Sequence, residues 1–219
     1  GSIDLKIELE NKDPVTNELD LSARIEYLKK KNRLLFYGLL EHDTKKPEGQ
    51  SEVKTKDEST FNIDYNRYFD AQKEYFIVGV AGLEHDGMRQ IEHRRYGAGG
   101  IGYRFIDDKS KWIDIALGLG GVNEKFTNYD EDLYTAIYTN AEALYTFKNG
   151  VFVRGTVRYM PSVLHDRAAW LFRAGVSVTV PISQSFAFRF ALTDVDDNNP
   201  SPEIGNNKLT TDIGVSFVF

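Results

Sequence analysis

The chain has no cysteine among its 219 residues, so no disulfide framework holds it together. A chain of this length can bury a core without one. Also missing is any run approaching the ~18 uninterrupted apolar residues of a transmembrane helix. That excludes a helical span but leaves barrels untouched, because every second residue of a barrel strand faces away from lipid. A basic excess is lacking too: 27 Lys and Arg stand against 33 Asp and Glu, a net charge of −6. This argues against nucleic acid as a partner. Neither GxSxG nor HExxH occurs, and no segment carries a convincing helical period.

What is present is alternation. Phe219, Phe217, Val215, Ile213, Thr211 and Leu209 share one face of the closing segment, with Ser216, Gly214, Asp212 and Thr210 between them. The same two-residue period recurs upstream. Ile3, Leu5, Ile7 and Leu9 oppose Asp4, Lys6, Glu8 and Glu10; Ile113, Ile115, Leu117 and Leu119 oppose Asp114, Ala116, Gly118 and Gly120. Strands are expected near 3–11, 18–28, 33–43, 53–65, 73–85, 95–106, 111–123, 132–147, 151–160, 168–180, 186–194 and 209–219. The total is about twelve, an even number, as single-chain bacterial barrels have. The third is apolar on both faces from Leu34 to Leu40, which leaves its register open.

The connections alternate in length. Short ones are expected at Lys29–Asn32, Asn66–Gln72, Asp107–Ser110, Lys148–Gly150 (with its Asn-Gly hairpin signal) and Pro181–Ser185. Longer, more polar ones are expected at Thr44–Glu52, Asp86–Arg94, Pro161–Arg167 and Val195–Asn206. Short periplasmic turns and longer outer loops are the asymmetry of an outer-membrane barrel. Tyr27, Tyr65, Tyr75, Tyr103, Phe105, Tyr145, Phe147, Phe186, Phe217 and Phe219 fall on apolar faces near the short-turn ends. Aromatics at one height form the girdle expected at a membrane interface.

A soluble barrel or sandwich with the faces inverted has the same alternation. Against it stand the length of the chain, the aromatics gathered at one end, and small residues on polar faces (Ala98, Gly100, Gly102, Ala116, Gly118, Gly120) that suit a crowded interior. The expected architecture is therefore all-β: a transmembrane antiparallel up-and-down β-barrel with both termini periplasmic. Gly1-Ser2 reads as a cloning scar, and 3–219 as one barrel domain. Any signal peptide is taken to have been removed.

Tyr75–Asp86, Gly97–Asp108 with Asp114–Gly121 after it, and Asp194–Phe219 with its Asn-Pro loop make the chain resemble the DUF481 family, also called salt-induced outer membrane proteins. The similarity spans nearly the whole chain and rests on the order and spacing of loose Gly, aromatic and turn motifs. It departs at Asn11–Asn17, where a Gly-Asn turn is expected. The resemblance implies a porin-like barrel in the outer membrane of a Gram-negative bacterium and carries over no catalytic residue. Outer-membrane lipid, lipopolysaccharide and the barrel-assembly machinery acting on the C-terminal strand are the expected partners.

With the apolar faces toward lipid, the polar faces line the lumen. Arg154, Arg158, Arg173 and Arg189 form a basic wall; Asp4, Glu8, Glu10, Asp20, Glu26 and Asp212 form an acidic one. Opposed walls would orient a small anionic or zwitterionic solute, and arginine binds carboxylates bidentately. The expected function is a narrow channel or small-solute binder. The alternative is a closed barrel, its charges paired, with a structural or surface-interaction role. His42, His85, His93 and His165 fall near the long-loop rim, where Ser162 and Asp166 flank His165. That set invites a rim lipid hydrolase, but polar residues there are expected simply because they meet water. No catalytic residue, metal or cofactor is assigned. Gly97–Gly102 precedes a strand and not a helix, so it is not a dinucleotide loop.

Overall fold

The computed structural model describes residues 2–12, 16–45, 53–69, 74–163, 169–197 and 207–218. Twelve strands run in chain order: β1 Ser2–Lys12, β2 Thr16–Lys29, β3 Asn32–Lys45, β4 Val53–Tyr68, β5 Tyr75–Asp86, β6 Ile91–Asp108, β7 Lys111–Phe126, β8 Asp132–Thr146, β9 Phe152–Val163, β10 Trp170–Pro181, β11 Phe186–Asp197 and β12 Asn207–Val218. Each pairs antiparallel with its chain neighbour, and β12 returns to β1 through Ser2↔Val218 to Leu5↔Val215, closing the barrel. The seam is short: four residue pairs join β1 to β12, against eleven for β1 and β2.

Among the described residues the greasy faces of the strands point outward. Ile101, Leu117, Leu119, Phe188, Val176 and Ile213 are exposed, which is untenable in water and ordinary in hydrocarbon. β3 resolves its ambiguity through its partners. Leu34↔Tyr65, Phe36↔Ile63 and Gly38↔Phe61 put its even positions outside, with Arg33, Leu35 and Tyr37 inside. β5 is apolar on both faces, and its inner set, Phe76, Val78 and Val80, is buried with Tyr96, Val122, Ala136, Tyr138, Met160 and Leu171. The interior is thus partly a packed apolar core.

Inward glycines on β6 and β7 let the walls approach. A Cβ on Gly100 would fall onto the Leu117 carbonyl and the Gly118 backbone, and one on Gly118 onto Gly99 and Gly100.

The connection expected to be long at 86–94 is short. β5 continues to Asp86 and β6 begins at Ile91, leaving a turn in which Gln90 takes φ 57° and its N–H donates to the Gly87 carbonyl at 3.3 Å. Inward ion pairs extend both strands: Arg94 on β6 meets Glu84 on β5 at 3.3 Å. The Asn-Gly turn forms, with Gly150 at φ 84° and its N–H on the Phe147 carbonyl at 3.0 Å. β4 runs three residues beyond its expected end at 65, to Tyr68, whose hydroxyl is held inside the barrel.

Candidate functional site: the barrel lumen

Three of the four arginines singled out from the sequence point inward to acids on distant strands. Arg154 on β9 donates to Glu26 on β2 at 2.9 Å, and its Nε lies 3.5 Å from Glu142 on β8. Arg158 on β9 donates to Asp64 on β4 at 2.7 Å and stacks over Tyr138, 5.7 Å from the ring centroid. Arg173 on β10 donates to Glu84 on β5 at 2.6 Å and lies over Tyr96 at 5.4 Å. Arg189 on β11 shares an electrostatic environment with Arg24 and Tyr37. Of the acids, Glu26 is buried between Arg33 and Arg154, and Asp212 lies beside Tyr37. The side chains of Asp4, Glu8, Glu10 and Asp20 lie outside the described residues; their backbones pair β1 to β2, with Glu8↔Asp20 and Asp4↔Arg24.

Most of the interior charge was not singled out from the sequence. Arg33 on β3 donates to Glu142 at 2.5 and 2.7 Å and to Glu26 at 2.6 Å. Arg94, the largest fully buried side chain among the described residues, reaches Glu124 at 2.8 Å and Asp197 on β11 at 2.8 Å. Asp197 also accepts from Arg89 at 2.7 Å. Near the short-turn mouth Arg104 donates to both oxygens of Asp114 at 2.6 and 2.8 Å and to the Tyr68 hydroxyl at 2.6 Å. Trp112 sits among three guanidiniums: Arg104 at 4.8 Å, Arg33 at 5.7 Å and Arg154 at 6.0 Å from its ring. Alternation marks Arg104, Asp114 and Glu142 as inward, but Arg33 stands on the strand whose register was open and Arg89, Arg94 and Asp197 fall in stretches expected as loops; nothing local says which acid each arginine meets.

The cross-lumen pairs share a pattern. Arg33–Glu142 joins β3 to β8, Arg158–Asp64 joins β4 to β9, Arg173–Glu84 joins β5 to β10, and Arg94–Asp197 joins β6 to β11. Each links strands five apart in the closed order of twelve. The wall β3–β6 is therefore tied to the facing wall β8–β11 at several heights. Charges of both signs interleave along these ties. Arg24 on β2 has Arg154, Arg189, Arg33 and Glu26 as electrostatic neighbours, and Arg189 shares Tyr37 with Asp212.

Outside, the aromatics cluster at the short-turn end. Tyr75 meets Tyr103 edge-on at 5.0 Å, Tyr103 meets Phe105 at 4.9 Å, and Tyr145 meets Phe147 at 4.8 Å. Tyr27 and Phe186 are exposed, and the Tyr65 hydroxyl donates to Asn32 at 2.8 Å. The Phe217 side chain and Phe219 lie outside the described residues. At the opposite rim Tyr159 packs on Trp170 at 6.2 Å.

Two of the described rim histidines share one carboxylate and a third stands apart. His42 and His85 flank Asp57 at 3.5 and 3.9 Å, and His93 lies 3.5 Å from Glu131. His165 and Asp166 fall outside the described residues, as do their positions relative to Ser162. Among the described residues no group of three or more metal-ligating side chains forms.

An antiparallel up-and-down β-barrel with an apolar exterior and an ionised interior is the fold of the outer-membrane barrels. Solved structures agree. A KdgM porin in complex with disordered oligogalacturonate superposes with a TM-score of 0.53 at 10% identity, covering 100% of this chain and 99% of that one. A second KdgM porin structure gives a TM-score of 0.50 at 11% identity, over 100% and 99% of the two chains. At such identities the likeness is one of fold. No curated protein matches the chain significantly. The family model DUF481, described as a protein of unknown function, matches residues 4–219, and the chain belongs to that family.

Proposed function

We propose that the protein resides in the bacterial outer membrane as a narrow conduit for small anionic or zwitterionic solutes. The observation that carries this reading is the stretch of lumen where Arg24 has Arg154 and Arg189 as electrostatic neighbours, with Tyr37 nearby. Guanidiniums stay charged at any accessible pH and present paired donors to a carboxylate. A porin of the same fold is known with an acidic oligosaccharide, oligogalacturonate. Carboxylate solutes suit the arginines here too, while the ties between facing walls favour a smaller molecule.

Planar-bilayer recording tests this. The wild type is expected to show small conductance steps with a reversal potential favouring anions. Replacing Arg24, Arg154 and Arg189 together should remove that preference, and unchanged selectivity would overturn the proposal. A second reading, a closed barrel with a structural role, is favoured by the cross-lumen pairs themselves. Complete absence of conductance and of solute uptake in vesicles would select it.

A further inference from the structure

The outer wall is not uniform. On the long-loop half of β2–β7 two apolar grooves lie side by side, sharing Phe61, Leu83 and Arg95 between them. The first, about 560 Å³, has small outward residues, Ala23 and Gly38, between Leu21 and Leu40. The second, about 550 Å³, runs over Ala81, Gly97 and Gly121. Gly38 has nothing within 4 Å of where a Cβ would stand, and Gly97 only a carbonyl at 3.8 Å. These are open depressions in the wall.

The height of Arg95 is fixed by the strand. It stands eight residues along β6 from Tyr103 of the aromatic girdle. At ~3.3 Å per residue and ~40° tilt that is about 20 Å along the membrane normal, against an apolar band of about 25 Å. The Arg95 backbone lies near the outer edge of the hydrocarbon, and its long side chain can reach the headgroups. Arg95 is exposed and lines both grooves. His85 and His93 stand at the rim of the first groove. Three acids at this rim have cationic or histidine neighbours: Asp57 with Lys54 at 2.8 Å, Glu92 with Lys125 at 2.5 Å, and Glu131 with His93 at 3.5 Å, Arg95 also lying in the field of Glu131.

A third outward groove, about 480 Å³, is lined by Ala141, Ala143, Gly155, Ala174 and Val176, and the charged residue on its outward face is the acid Asp194. The two sides of the barrel thus offer similar apolar relief under opposite charge.

We propose that the outward face around Arg95 binds one anionic, multiply acylated lipid of the outer leaflet, its acyl chains in the paired grooves and its phosphate on Arg95. Acyl chains supply the apolar complement, and a guanidinium at headgroup height supplies a charge-assisted bond to phosphate. The inference rests on the outer-membrane placement and not on conduction.

Native mass spectrometry of the detergent-solubilised barrel tests it, with bis-phosphorylated lipid A as the probe and phosphatidylcholine as the neutral comparison. Heat-modifiable gel migration confirms that each variant is folded. The wild type should take up one lipid A. Arg95→Glu and Gly97→Leu should each weaken uptake at least tenfold, and Gly155→Leu, in the acidic-sided groove, should leave it unchanged. Equal uptake of phosphatidylcholine, full retention of lipid A by Arg95→Glu, or equal losses in Gly97→Leu and Gly155→Leu would overturn it. Conductance recorded on the same preparations keeps the two proposals apart. A conducting barrel that takes up no lipid A removes the lipid site alone. One that takes up lipid A without conducting removes the channel alone.

Discussion

Arg33 on β3 clasps Glu142 on β8 with two near-parallel hydrogen bonds of 2.5 and 2.7 Å, spanning the lumen. The same guanidinium holds Glu26, which Arg154 also holds, so two cations and two anions from β2, β3, β8 and β9 form one buried cluster. Removing one member strands a buried charge, which costs about 3–5 kcal/mol, whereas replacing both partners by apolar groups is far milder. Arg33→Ala and Glu142→Ala should each therefore destabilise the barrel by about 3 kcal/mol. The double variant Arg33→Met/Glu142→Leu should lose much less than the sum. Urea unfolding from lipid vesicles, followed by tryptophan fluorescence, reads the coupling, and strictly additive losses would show that the pair does not act as a unit.

Arg24 provides a contrast. It faces the lumen beside Arg154 and Arg189, whereas Arg154 is locked to Glu26 and Glu142. Arg24→Glu should invert ion preference in bilayer recordings while leaving the folded yield near that of the wild type. Arg154→Ala should lower the yield, because it leaves two buried carboxylates, Glu26 and Glu142, sharing the single guanidinium of Arg33. If Arg24→Glu leaves the reversal potential where it was, solutes do not pass that arginine.

The alternation of apolar and polar residues carried the fold, since a period of two with aromatics gathered at one end admits few architectures. Strand limits failed mainly at 86–94, where Arg89, Arg94 and Asp86 look like loop residues until their partners Glu84, Glu124 and Asp197 are seen. The lumen was legible only by face. Arg154, Arg158 and Arg173 could be placed on inward positions, but their partners Glu26, Asp64 and Glu84 come from strands five positions away around the barrel. No local spacing encodes such a contact. Phe76, Val78 and Val80 depart from the rule that barrel interiors are polar, because that part of the interior is packed.

The close approach of β6 and β7 is a second point of vulnerability. Gly100 faces Gly118 in register, and a methyl on either would strike backbone rather than a movable side chain. Overpacking of this kind costs about 1–3 kcal/mol or more. Gly100→Ala and Gly118→Ala should each reduce the heat-modifiable folded fraction, and the pair together should abolish it. Gly79→Ala, at an outward glycine with open space around it, should be silent. A folded Gly100→Ala/Gly118→Ala barrel of wild-type stability would disprove the close packing.

Beyond the apolar band, Asp57 gathers Lys54, His42 and His85 on the outer surface. The hydrogen bond from Lys54, with its positive charge, holds the Asp57 carboxyl below the usual aspartate range. A carboxylate whose pKa is lower folded than unfolded stabilises the fold above its ordinary pKa, and that contribution is lost as pH falls through the lowered value. Lys54→Ala should therefore raise the Asp57 midpoint in a carbon-13 carboxyl titration of the micelle-bound barrel. It should also move the onset of acid loosening at this rim to higher pH. Because the site is solvent-accessible, the stability at stake is small, and high salt should shrink the difference between the variant and the wild type. A midpoint for Asp57 that is the same with and without Lys54 would show that the pair is only a surface proximity.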